Sequence, residues 1–155
     1  MCSALSLEQR TGMADSVEPY AEQLNFTSAH HGDNIGAAAA VAGQWAYVGA
    51  PGDGHSAVGN VVGAGSVHRL RLDGTPSINA QTLVAPDPTA NAAFGSALAA
   101  SGNYLLVGAP GASFERGSAY LYVGADAEVM GFGRQLNDPS GQVGAHFGSA
   151  VAILG

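Results

Sequence analysis

The chain has 155 residues, enough for one ordinary domain with a sizeable core. Glycine makes up 23 of them, 46% are apolar and only 11% are charged, a balance that excludes a solvated disordered tail and argues against a helical bundle. A net charge of −7 with five basic residues argues against a nucleic-acid partner, and the single Cys2 rules out an internal disulfide framework.

In chain order, residues 1–19 show no repeat and are expected to be irregular or disordered, with Cys2 a free thiol in a frayed end. No basic start followed by an apolar run opens the chain, so no signal peptide is visible, and no stretch approaches the ~20 apolar residues of a membrane span. Residues 20–26 read as an isolated strand. Within them Asn25 begins an Asn-Phe-Thr glycosylation sequon, a match near chance in a chain of this size.

From there the sequence repeats. Ile35-Gly36 is followed by Gly49-Ala50-Pro51, with 13 residues from the first Gly to the second, and Phe94-Gly95 is followed by Gly108-Ala109-Pro110 at the same distance. Phe147-Gly148-Ser149-Ala150 opens a third copy, so units begin near 35, 94 and 147. A Gly-Ser pair follows each Gly-Ala-Pro, at Gly65-Ser66 and Gly117-Ser118, and a leucine precedes each start by 11 residues, at Leu24, Leu83 and Leu136. The copies differ most between Gly-Ala-Pro and Gly-Ser, where the first carries the longer loop.

Each unit reads as four short strands. In the second copy these are a small-residue strand over 96–100, an apolar run over 104–107, a Tyr-rich strand over 118–123 and a weaker one over 133–136. In the first copy the fourth is 81–85, stopped by Pro86 and Pro88. Residues 37–40 are all alanine and carry the best helix propensity. Their equivalents, Ser96 and Ser149 beside Gly95 and Gly148, favour no helix, so the segment is expected to be a strand. Small residues suit the innermost strand of a blade that converges on an axis, while Trp45, Tyr47 and residues 104–107 suit the wider strand outside it. The expected fold is all-β: a partial β-propeller of two complete four-stranded antiparallel blades with partial blades at both ends, spanning residues 20–155.

At these residues the chain resembles the FG-GAP repeats of integrin α-subunit propellers, and is more similar still to a bacterial-type variant found in secreted and surface proteins. The shared pattern is Phe-Gly, a small apolar strand, a Ser-Gly-Asn-like turn, Val-Gly-Ala-Pro, a loop, then Gly-Ser-Ala-Tyr; it is nearly complete over 94–123 and looser over 35–72. The resemblance implies an extracellular or cell-surface module. Integrin-type repeats often hold calcium in a loop between Phe-Gly and Gly-Ala-Pro. Here that connection is only Ala42-Gly43-Gln44 or Ser101-Gly102-Asn103, too few oxygen ligands for Ca²⁺, so neither metal nor other cofactor is expected.

Other residue groups carry bland readings. His30-His31 with Asp33 resembles a metal cluster, but adjacent side chains on an extended segment point apart. Asp53, His55 and Ser56 crowd one loop, whereas a nucleophilic triad is assembled from separate elements. Residues 59–65 lack the Gly-Lys-Ser/Thr of a phosphate loop, and Glu115-Arg116 reads as a solvated turn pair. Tyr120 and Tyr122, two apart on a strand, share one face and are expected to pack between blades.

No catalytic, cofactor or metal residues are therefore assigned, and the chain is not expected to be an enzyme. The function expected is an interaction or adhesion module binding protein or glycan through propeller loops. The alternative is an accessory scaffold of a larger secreted or surface protein. Open blade edges also predict self-association.

Overall fold

A computed structural model describes residues 30–54, 60–72 and 81–154. The expectations for residues 1–19 and 20–26, including Cys2 and Asn25, lie outside the described residues.

The architecture is all-β. Strands β1 (Ala39–Ala42), β2 (Trp45–Ala50), β3 (Ser66–Arg71) and β4 (Gln81–Leu83) form one antiparallel sheet in that order. Strands β5 (Ala97–Ser101), β6 (Tyr104–Ala109), β7 (Ser118–Val123) and β8 (Gly131–Asn137) form a second in the same order. Each sheet is one repeat unit, so the described residues form two four-stranded blades of a partial propeller. The alanine run does enter a strand, because pairing Ala39 with Val48 and Ala40 with Tyr47 outweighs its helical preference. β1 joins β2, and β5 joins β6, through two-residue turns whose first residues, Gly43 and Gly102, have φ of 56° and 50° as such tight hairpins require.

Three boundaries differ from the sequence reading. β4 ends at Leu83 rather than 85, because the Val84 carbonyl is diverted to accept a hydrogen bond from Tyr122 Oη of the second blade at 2.8 Å. β8 is longer than expected, with a bulge opposite Leu121 and Tyr122. The third copy forms no strand over residues 149–154; among the described residues none runs beside it as β2 runs beside β1. Its opening residues are nonetheless set like the others. Asn34, Ala93 and His146 all sit in left-handed backbone at φ 53°, 55° and 49°, and the glycines two residues later at 94°, 93° and 88°.

The repeat motif is an interlock between copies. Phe94 pairs in parallel with Gly65, and Phe147 with Gly117, so the start of each copy seats on the preceding blade. A Cβ on Gly49 would lie 2.0 Å from the Gly95 carbonyl oxygen, and one on Gly108 would lie 2.0 Å from that of Gly148. Only glycine admits so close an approach of backbone to backbone. Phe94 itself is fully buried, its ring meeting the Tyr120 ring edge-on at 5.5 Å.

One face of each sheet fills the space between the blades. From the first come Trp45, Tyr47, Val67 and Leu83; from the second, Leu105, Val107, Tyr120 and Tyr122. Burial raises the ionisation of Tyr47, Tyr120 and Tyr122 above the ordinary phenol range, for Tyr120 with help from its hydrogen bond to Asp87. Arg69 crosses the interface. Its guanidinium stacks 3.6 Å from the Trp45 ring centroid, donates to Tyr47 Oη at 3.1 Å and to the Glu128 carbonyl at 3.1 Å, and also donates to the Ala127 carbonyl. Tyr47 in turn donates to the Ala125 carbonyl at 2.6 Å. The first blade thus grips the β7–β8 connection of the second.

Candidate interaction surface

Because the strands alternate in direction, the connections that follow β2, β4, β6 and β8 share one end of the blades. Residues 51–54, 60–65, 84–96, 110–117 and 138–148 lie there, while the two tight turns and residues 124–130 lie at the other. The first three strands of each blade share one pairing register, while the loops between Gly-Ala-Pro and Gly-Ser differ in length and side chains.

The first difference is polar. Asp33 and Asp53 are both buried, at 4% and 8% exposure. Asp53 accepts a 2.6 Å hydrogen bond from Ser66 Oγ, and Asp33 accepts one from the His30 backbone N–H. The equivalent residues of the second copy are Ala92 and Ala112, equally buried. The first loop is therefore fastened through carboxylates where the second is packed with methyl groups. Burial holds the His68 imidazole below its ordinary range, with Asp53 and Asp33 partly opposing that shift.

The second feature is apolar. Counting back from Gly65 and Gly117, Val62 and Phe114 occupy the same position in the repeat, and they are 74% and 85% exposed. Phe114 stands on a short helical turn, Ala112–Glu115, that winds left-handed: φ is 54°, 61° and 63° at Ser113, Phe114 and Glu115. For residues with a Cβ that conformation costs about 1–2 kcal/mol each. The turn is held by the third copy, whose Gly144 and His146 backbone N–H groups both donate to the Glu115 carbonyl, at 3.1 and 3.0 Å.

The structure disperses the groups that the sequence singled out. The His30 imidazole lies 3.8 Å from the Asp33 carboxylate, and His31 is exposed. Asp53 serves the Ser66 hydroxyl, while His55 and Ser56 lie outside the described residues. Among the described residues, no three His, Cys, Asp or Glu side chains converge as metal ligands. Tyr120 and Tyr122 pack between the blades. Arg69, which belongs to no motif of the repeat, is the side chain that clamps one blade to the next. The exposed Val62 and Phe114 went unremarked, although counting from each Gly-Ser would have aligned them.

Sequential four-stranded blades, each receiving the first residues of the next, define a β-propeller-type repeat protein. Residues 79–122 match the family model described as FG-GAP repeat, which spans β4 through most of β7 and therefore bridges the two blades. Over that segment the chain is similar to the FG-GAP repeat family. No curated protein matches it at a significant level. Among the described residues, no helix is long and apolar enough to cross a membrane.

Proposed function

We propose that the chain is a non-catalytic, extracellular or cell-surface interaction module that binds a protein partner through the loop end carrying Val62 and Phe114. The observation that supports this reading is a large apolar side chain, more than 70% exposed, at the same repeat position in both blades. Scattered apolar residues on a surface are ordinary, but repeated ones on adjacent rigid blades are aligned anchors. Three consecutive left-handed residues beneath Phe114 hold strain that folding alone does not require, and such strain tends to persist at functional sites. Bare Val and Phe tips favour a protein surface over a glycan, which needs polar partners for its hydroxyl groups.

The test is affinity capture from extracellular fractions with the immobilised full chain. The comparison is the double variant Val62→Ser with Phe114→Ser, and the control is Val129→Ser at the opposite end, where Val129 is 80% exposed. Partners retained by wild type and the control but lost by the double variant support the proposal. Partners held equally by all three chains, or binding only to a glycan array, reject it.

A further inference from the structure

Charge is unevenly placed along the blades. Among the described residues, five of the seven carboxylates, Asp33, Asp53, Asp87, Glu115 and Asp138, belong to the end that carries Val62 and Phe114. Only one of the four described arginines, Arg116, lies with them. The other two carboxylates, Asp126 and Glu128, are at the opposite end, where Arg71 pairs with Glu128 at 3.0 Å and Arg69 donates to the carbonyls of Ala127 and Glu128. Residues 55–59 add no Asp, Glu, Lys or Arg to the first loop. The loop end is therefore acidic and the opposite end balanced.

Each of the five carboxylates stands on a different connecting segment, and among the described residues no three converge as metal ligands. They act as a field spread over the end of the molecule, not as an ion site. Asp33 and Asp53 lie beneath the surface, whereas Asp87 and Glu115 are exposed. Hydrogen bonds from the Ser140 hydroxyl and backbone N–H hold the Asp138 carboxyl below its ordinary range, which keeps it ionised at neutral pH. The apolar tips stand within this field. Phe114 adjoins Glu115, and Val143, 66% exposed, precedes the Gly144 N–H that donates to the Glu115 carbonyl at 3.1 Å.

Resting on the loop-binding reading above, we infer that the protein partner docks through a basic segment, its apolar side chains on Val62, Phe114 and Val143 and its Lys or Arg on the surrounding carboxylates. A neutral or acidic apolar partner would cover the same tips but leave Glu115 and Asp87 facing no opposite charge. Arginine suits the site best, because a guanidinium both pairs with a carboxylate and stacks on an aromatic face such as that of Phe114.

The test selects short random peptides displayed on phage against the immobilised full chain. The most enriched peptide is then titrated by fluorescence anisotropy, with the folding of every variant followed by circular dichroism. Enriched peptides should combine Lys or Arg with apolar residues, and affinity should fall about tenfold between about 0.05 and 0.5 M salt as the field is screened. Glu115→Gln and Asp138→Asn should each weaken binding about threefold or more, while Asp126→Asn at the opposite end leaves it unchanged. A selection that enriches nothing, peptides without an excess of Lys and Arg, or an affinity indifferent to salt and to both carboxylate variants overturns the inference. If such non-basic peptides are lost by Phe114→Ser, the loop-binding reading stands without it. Basic peptides that bind Phe114→Ser as tightly as wild type overturn both.

Discussion

Arg69 lies flat on Trp45, 3.6 Å from the ring centroid, and this stack places a cation with 1% exposure at the boundary between two blades. Tyr47 Oη and two backbone carbonyls accept its N–H groups there, while the indole face supplies a further favourable field. Removing it leaves the carbonyls of Ala127 and Glu128 without these donors and a void against Trp45. Arg69→Ala is expected to lower stability by about 2–4 kcal/mol. Arg71→Ala is expected to cost under about 1 kcal/mol, since its 3.0 Å pair with Glu128 lies at the surface. Urea denaturation of the two variants side by side checks the contrast.

Gly49 is the sharper test of the interlock. A methyl group there meets the backbone of Gly95, which cannot move without parting the blades. Gly49→Ala should destabilise by about 3 kcal/mol or more and Gly108→Ala should disturb the seat of the third copy. Gly131→Ala meets nothing within 4 Å and should be neutral or slightly stabilising. Thermal unfolding of the three variants gives the order.

Ala93 sits at φ 55° where the first copy has Asn34 at 53°. Alanine resists that conformation, and glycine or asparagine accepts it. Ala93→Gly should therefore gain up to about 1 kcal/mol, the relief of strain exceeding the added freedom of the unfolded chain. An unchanged or lower unfolding midpoint would contradict the backbone geometry.

Alkaline pH should unfold the protein cooperatively. Tyr47, Tyr120 and Tyr122 have folded ionisations raised by burial, so above the ordinary phenol value of about 10 the unfolded chain loses protons that the folded one retains. Their contribution is fully present below that pH and is lost as pH rises towards the folded values, at up to about 1.4 kcal/mol per pH unit for each group. Denaturation midpoints between pH 8 and 11, read with the tyrosinate absorbance, check both the sign and the slope.

Much of the fold was legible because the repeat is written twice over. Where Ala37 to Ala40 suggested a helix, the glycine and serine of the other copies corrected it. The edges of the strands were less legible, since they depend on the next blade: Tyr122 ends β4 by taking the Val84 carbonyl. Arg69 was illegible for the same reason, its partners lying 58 and 59 residues away in sequence. Phe114 gave no signal in the sequence, because nothing local to Ser113-Phe114-Glu115 announces a left-handed turn that the backbone ahead of the third copy holds in place.

The interlock also separates the cost of a loop from its content. Residues 51–65 and 110–117 leave from the same proline and return to the same glycine position, although one span is 15 residues and the other eight. Near-doubling a loop whose ends are pinned costs only about 0.6 kcal/mol in closure entropy. Foreign sequences grafted between Pro51 and Gly63 should thus be carried with little loss of stability. The pinned ends make this position an insertion port, where new specificity is acquired without renegotiating the blades.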